Sequence, residues 1–242
     1  MLLAVSSPST ETHVASVSRV VSALLVKEGR FENAAIPIPK ELLTIVIKLT
    51  LSSGKGAAVE FLRGSLGNAW LVTHSPLIDL ITMLYREYPW VNLISSSPSL
   101  NDQRRISRIA VDMVTLTAKS ALTGIKIDDW VKLHRQAVET LDKPRTYPPN
   151  SIIVSIGYVN HIKVRYAADD VIVVSELKPT PTELFYIYRG DYDDKFRDIV
   201  KWVIRYLSDI VPSSRNLTEA YIAITRNREY LSFVSSLTPL SH

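Results

Sequence analysis

From Val14 to Lys27 the apolar residues fall at Val14, Val17, Val20, Val21, Leu24 and Leu25, the three-and-four spacing of a helix with one buried side, and Gly29 ends it. Ala35-Ile36-Pro37-Ile38-Pro39 cannot continue a helix. The β-branched, almost uncharged run Leu42 to Leu51 after it reads as the first core strand of a parallel sheet. The turn Ser52-Ser53-Gly54-Lys55-Gly56 leads into a short helix from Ala57, closed by Gly64 and Gly67. Ala69 to Thr73 reads as a second strand, Pro76 to Tyr88 as a helix opened by Ser75 and Pro76, and Val91 to Ser95 as a third strand.

Arg108 to Leu116 reads as a fourth strand ending near Asp112, Thr115 to Leu122 can begin a helix, and Asp128 to Leu141 is another helix. After the proline-rich loop 144–150, strands are expected at Ser151 to Ile156, Asp170 to Val174 and Leu184 to Tyr188, the last two able to pair antiparallel at a sheet edge. From Asp191 onward Phe196, Ile199, Val200, Val203, Ile204 and Leu207 form a helical stripe, with Arg197, Lys201 and Arg205 mostly off it. The alternation predicts an α/β fold: a mainly parallel, twisted sheet with helices on both faces over residues 1–190, and a C-terminal helical appendage over 191–242 packed on that core.

Four local patterns in this order resemble the RecA/KaiC family of P-loop ATPases over roughly residues 30 to 190. Ala35-Ile36-Pro37-Ile38-Pro39 stands where that family enters its nucleotide-binding strand. Gly54-Lys55 stands where a Walker A motif places Gly-Lys-Ser/Thr ahead of a helix whose first amides face a phosphate. Ile109-Ala110-Val111-Asp112 looks like a Walker B strand, and Arg165-Tyr166-Ala167-Ala168-Asp169-Asp170-Val171-Ile172-Val173-Val174 resembles a late family strand. The resemblance implies a three-layer fold of RecA type, an oligomer, and ATP with magnesium as ligands. It makes Ser53, Gly54, Lys55, Gly56 and Asp112 the nucleotide-site candidates.

The pattern is eroded. Leu49 and Gly56 replace the loop glycine and the magnesium-binding hydroxyl, and Val72-Thr73-His74-Ser75-Pro76 has no carboxylate where the family's catalytic glutamate lies. No catalytic residue is assigned. The implied role is that of a regulatory or structural subunit of a larger assembly, holding nucleotide weakly at most. Two other functions compete with it: an active ATPase of a DNA-processing or motor system, and a non-hydrolysing DNA-binding recombination accessory that would use Arg104, Arg105, Arg108 and the cations of the C-terminal tail on phosphates.

Each candidate also has a plain structural reading. Lys55 can be a solvated lysine, Asp112 a cap of the following turn, and His74, at a ligand-facing strand end, a hydrogen-bonded histidine. Tyr85, Tyr88 and Trp90 can stack on a ring or fill a core. At 242 residues, with 46% hydrophobic and 21% charged residues, the chain can bury a substantial core. It has no cysteine, which excludes disulfides and thiol chemistry, and His13, His134, His161 and His242 are too scattered for a local metal motif. The net charge of +4 is spread along the chain and is weak support for nucleic acid. The start Met1 to Val5 is too short for a signal peptide and no apolar run reaches a membrane span, so a cytoplasmic protein is expected, with a protein partner or second copy and with DNA as an open alternative.

Overall fold

The computed structural model describes residues 1–141 and 145–237, which form two compact units. Unit 1 comprises residues 1–105 and 145–177, and unit 2 comprises 106–141 and 178–237. The boundary expected at 190/191 falls inside unit 2.

Unit 1 is built on five strands: β1 (Leu2–Ser7), β2 (Asn33–Ile36), β3 (Asn92–Ser95), β4 (Ser151–Ile156) and β5 (Asp170–Val173). All are parallel, in the order β3-β2-β4-β1-β5. The register pairs Leu3 with Ile152, Val5 with Val154 and Ser6 with Ser155. The side chains of a strand alternate between the sheet's two faces, so this register sorts them into two sets. Leu3, Val5, Ile36, Ile152, Val154 and Ile156 join one large core with α1 (Glu11–Glu28), α2 (Lys40–Ser52), α3 (Lys55–Leu66), α4 (Asn68–His74) and α5 (Pro76–Glu87). Ala4, Ala35 and Ile153 meet Val164 of α8 (Tyr158–Arg165) on the opposite face. Helices therefore cover both faces, as the sequence pattern predicts.

Several local expectations hold. The buried side of α1 is Val14, Val17, Val21 and Leu25, and Gly29 closes it at φ 58, with its N–H donating to the Leu25 carbonyl. The helix from Pro76 and the strands at Val91 to Ser95, Ser151 to Ile156 and Asp170 to Val174 are also present, within a residue or two at their ends.

Four expected strands are helices. Leu42 to Leu51 lies in α2, where the buried positions Leu42, Leu43, Val46 and Thr50 follow helical spacing. Ala69 to Thr73 is α4, and Arg108 to Leu116 lies within α6 (Leu100–Thr123), where Ile109, Met113 and Thr117 are buried four residues apart. Leu184 to Tyr188 falls in and just after α9 (Pro181–Ile187), started by a capping box in which the Thr180 hydroxyl accepts from the Glu183 N–H and the Glu183 carboxylate accepts from the Thr180 N–H. β-branched composition carried the strand expectation, and burial on one helical side overrode it. The sheet's own first strand is Leu2–Ser7, which sequence reading treated only as an apolar start.

Among its described residues unit 2 has helices joined by short loops and no strand. Besides the larger part of α6 it holds α7 (Ile127–Leu141), α9, α10 (Asp194–Arg205), a π-helical turn (Tyr206–Ile210), α11 (Val211–Ser213), α12 (Leu217–Thr225) and α13 (Arg228–Ser236). Its core is aromatic: Trp130, Phe185, Phe196 and Tyr230 are fully buried, and Trp130 meets Phe185 edge to face with ring centroids 5.9 Å apart. Asp193, Asn216 and Asn227 cap α10, α12 and α13 by accepting from first-turn amides. Among the described residues no helix is long and apolar enough to cross a membrane.

Candidate functional site

In an open parallel sheet the place where ligands collect is the carboxyl edge, at the point where successive connections leave in opposite directions. Here β1 leaves toward β2 with α1 on one face, and β4 leaves toward β5 with α8 on the other. The switch point thus lies between the carboxyl ends of β1 and β4. Backbone bonds fasten this edge: the Gly157 N–H donates to the Ser7 carbonyl at 2.8 Å and the Val174 N–H to the Ser6 carbonyl at 2.9 Å. The Ser96 hydroxyl donates to the Val154 carbonyl at 3.0 Å, and Arg145 bonds the Ser96 carbonyl in turn.

Two side chains at this edge stand apart. Ser6 and Ser155 are adjacent in the β1–β4 register, 0% and 2% exposed, and neither Oγ has a hydrogen-bond partner. Both follow the alternation of Ala4 and Ile153, so they belong to the face that α8 covers. The next residue, Ser7, lies on the other face and its hydroxyl donates to the Pro8 carbonyl at 3.0 Å.

α8 starts directly after β4. Gly157 makes this possible, since its φ of 83 is in the left-handed region that a side chain disfavours. The helix then runs back along the sheet, packed on β1 and β4, until the Asp169 N–H reaches the Leu2 carbonyl. Val164 packs on Ala4 and Ile153. His161 lies one turn earlier, three residues before Val164 and on the same side of the helix, nearer the carboxyl ends of β1 and β4. Its Nδ1 is likewise buried and without a hydrogen-bond partner. Burial, with Arg165 adding to it, lowers the His161 pKa, so the ring is neutral at neutral pH.

The charge around this cluster is one-sided along α8. The segment Tyr158–Arg165 contains no carboxylate, carries Lys163 and Arg165 in its last turn, and directs the positive end of its dipole at the carboxyl edge. Glu11, in the first turn of α1, and Glu176, after β5, are the acidic residues near this edge in sequence. Thr10 occupies the N-cap position of α1, 1% exposed, and its hydroxyl bonds His13 Nδ1 at 2.7 Å instead of a first-turn amide.

The residues singled out from the sequence lie elsewhere. Ser53, Gly54, Lys55 and Gly56 are exposed and join α2 to α3, so no strand leads into this turn and its geometry is not that of a P-loop. The Lys55 Nζ lies 2.6 Å from Asp79. Asp112 sits in the middle of α6, in unit 2, and not at a strand end. His74 ends α4, also without a strand before it. It stacks on Trp70 at 4.5 Å between ring centroids and shares a 3.0 Å hydrogen bond between its Nδ1 and the Trp70 carbonyl, and burial lowers its pKa to about 4. Arg104, Arg105 and Arg108 are exposed in the first half of α6, with Arg104 and Arg108 one turn apart. Ser6, Ser155 and Gly157 were missed. The one available signal was the short apolar run Leu2 to Val5 leading into Ser6-Ser7-Pro8-Ser9-Thr10, a strand, a turn and a helix cap in succession.

No protein-family model, curated protein or solved structure matches this chain.

Proposed function

We propose that the chain is a ligand-binding protein rather than a catalyst, and that its parallel-sheet unit takes a small polar ligand between the carboxyl ends of β1 and β4. The observation that carries the reading is the adjacent pair of buried, unpartnered hydroxyls, Ser6 and Ser155. A buried hydroxyl without a partner costs roughly 1–3 kcal/mol, and two side by side at a topological switch point are what a ligand or ordered water would satisfy. Binding is favoured over catalysis because neither serine hydroxyl is hydrogen-bonded to a histidine or a carboxylate that would activate it. A RecA/KaiC-like fold is part of this proposal. What supports it is the all-parallel sheet with helices on both faces, not Gly54-Lys55 or Asp112.

The test is thermal unfolding with and without millimolar ATP and magnesium in the wild type, Lys55→Ala and Ser6→Ala/Ser155→Ala. A nucleotide at 100 times its dissociation constant adds about 2.7 kcal/mol. The reading expects a shift retained in Lys55→Ala and lost in the double serine variant. Loss in Lys55→Ala with retention in the serine variant would return the site to the Gly54-Lys55 turn.

A second reading, pairing with another copy of the chain, rests on the exposed side of α6. Val111, Val114, Ala118 and Leu122 follow the three-and-four spacing of a helix–helix seam, with Val111 63% and Leu122 86% exposed. The stripe runs along one side of a single helix, so two copies can pair it about a two-fold axis. Sedimentation equilibrium should give a dimer for the wild type and a monomer for Leu122→Glu; a monomeric wild type removes this reading.

A further inference from the structure

We infer that the group held at the β1/β4 switch point is a phosphoryl group, bound by the hydroxyls of Ser6 and Ser155, by His161 Nδ1–H and by the first-turn amides of α8. The inference rests on the proposed binding site and adds the chemistry of what enters it.

The polar atoms of Ser6, Ser155 and His161 that have no partner can all donate. A serine hydroxyl donates one hydrogen bond, a neutral imidazole donates from Nδ1 in one of its tautomers, and the opening amides of a helix have no acceptor within the helix. α8 is eight residues long, and the amides of Val159 and Asn160 in its first turn stand at the edge. Among the residues that form this cluster, Ser6, Ser155, Gly157 and the whole of α8, there is no carboxylate to compete for those donors or repel an anion. A ligand that only accepts hydrogen bonds and carries negative charge matches this set.

Shape favours a tetrahedral group over a planar one. Neighbouring strands lie about 4.8 Å apart, so the two serine hydroxyls approach from the sheet side at that spacing and can donate to one oxygen or to two oxygens of one group. His161 approaches from the helix side, and the amides of α8 from the end of the strands. Donors from three directions suit the oxygens of a phosphoryl group, whereas a carboxylate has both oxygens in one plane. Gly157 joins β4 to α8 at φ 83, a backbone angle that a side chain disfavours, and without a Cβ it adds no bulk beside the first turn of α8. Glu11 and Glu176 are the opposing charges, and both lie on elements other than α8.

The experiment is isothermal titration of the full chain with inorganic phosphate, acetate and adenosine in separate runs, on the wild type, Ser6→Ala, Ser155→Ala and His161→Phe. The serine variants remove hydroxyls that have no partner in the fold, so they should remain folded, and circular dichroism checks this. Phosphate should bind the wild type, and each variant should weaken it roughly ten-fold or more, as expected for losing a hydrogen bond to a charged group. Acetate and adenosine should bind far more weakly. Serine-dependent binding of adenosine without phosphate binding would keep the binding site and overturn the phosphoryl assignment, and preference for acetate would overturn it in favour of a carboxylate. Phosphate binding that ignores all three substitutions would place the anion elsewhere and overturn the inference. No heat with any probe would overturn both the inference and the site.

Discussion

Ser6 and Ser155 face the same side of the sheet from adjacent parallel strands, and the hydroxyl of each is buried without a hydrogen-bond partner. Their neighbours on that face, Ala4 and Ile153, are apolar and packed under Val164, so the serines mark where an apolar interface turns polar beneath α8. A fold selected only for stability would place alanine there.

Ser6→Ala and Ser155→Ala should therefore leave the unliganded protein at least as stable as the wild type, by up to about 1 kcal/mol each, since each removes an unsatisfied buried polar group. Urea unfolding reads this from the midpoint at constant slope. A loss of about 1 kcal/mol or more would mean that a resident water already satisfies the hydroxyls.

Lys55 and Asp79 form an ion pair at 2.6 Å in which both side chains are about half exposed, 51% and 57%. Pairs of this kind contribute about 0–1 kcal/mol, and salt weakens them further. Lys55→Ala should change the unfolding free energy by less than about 1 kcal/mol, and still less in high salt. A larger, salt-independent loss would show that Lys55 has a role beyond this surface pair.

The sequence made the architecture legible where two signals agreed. α1 combines a helical stripe with Gly29 at its end, and β4 is a short apolar run after a proline-rich loop. It misled where composition and periodicity disagreed: Leu42 to Leu51 is rich in β-branched residues, but its buried positions Leu42, Leu43, Val46 and Thr50 repeat as a helix does. Once that segment is a helix, Gly54-Lys55 no longer follows a strand and the Walker A likeness loses its geometry. Thr180-Pro181-Thr182-Glu183 carried a full helix-start signal ahead of Leu184. The Ser6–Ser155 pair was not legible, because two serines 149 positions apart become neighbours only through the β1–β4 register.

His134 links three elements of unit 2. Its Nδ1 and the Tyr192 hydroxyl are 3.1 Å apart, as are its Nε2 and the Tyr188 carbonyl, while Phe185 and Phe196 pack on the ring at 5.1 Å between centroids. His134→Phe keeps an aromatic ring of somewhat larger volume and loses the polar contacts. Arg189 still bonds the Tyr188 carbonyl and the Tyr192 hydroxyl can turn to water, so a cost of about 1–2 kcal/mol is expected. His134→Ala also opens a cavity among the aromatic rings and should cost about 3–5 kcal/mol. Equal costs would place the role of His134 in its polar contacts alone.

Acid should weaken the fold through histidines buried in their neutral form. His74 is lowered from 6.5 to about 4 by burial, opposed by its bond to the Trp70 carbonyl, and burial lowers His13 and His161 in the same direction. Between these two pH values the unfolded chain binds the His74 proton and the native chain does not, so stability rises with pH across that window. The contribution is fully present above about 6.5, is lost as the pH falls toward about 4, and has a slope of at most about 1.4 kcal/mol per pH unit for one group. His74→Phe preserves a flat ring against Trp70 and removes the titration. Urea unfolding at a series of pH values should therefore give a visibly shallower acid limb for His74→Phe than for the wild type. Identical limbs would show that His74 takes up its proton in the folded protein near its ordinary pH, and would locate the acid sensitivity at His13, His161 or the carboxylates instead.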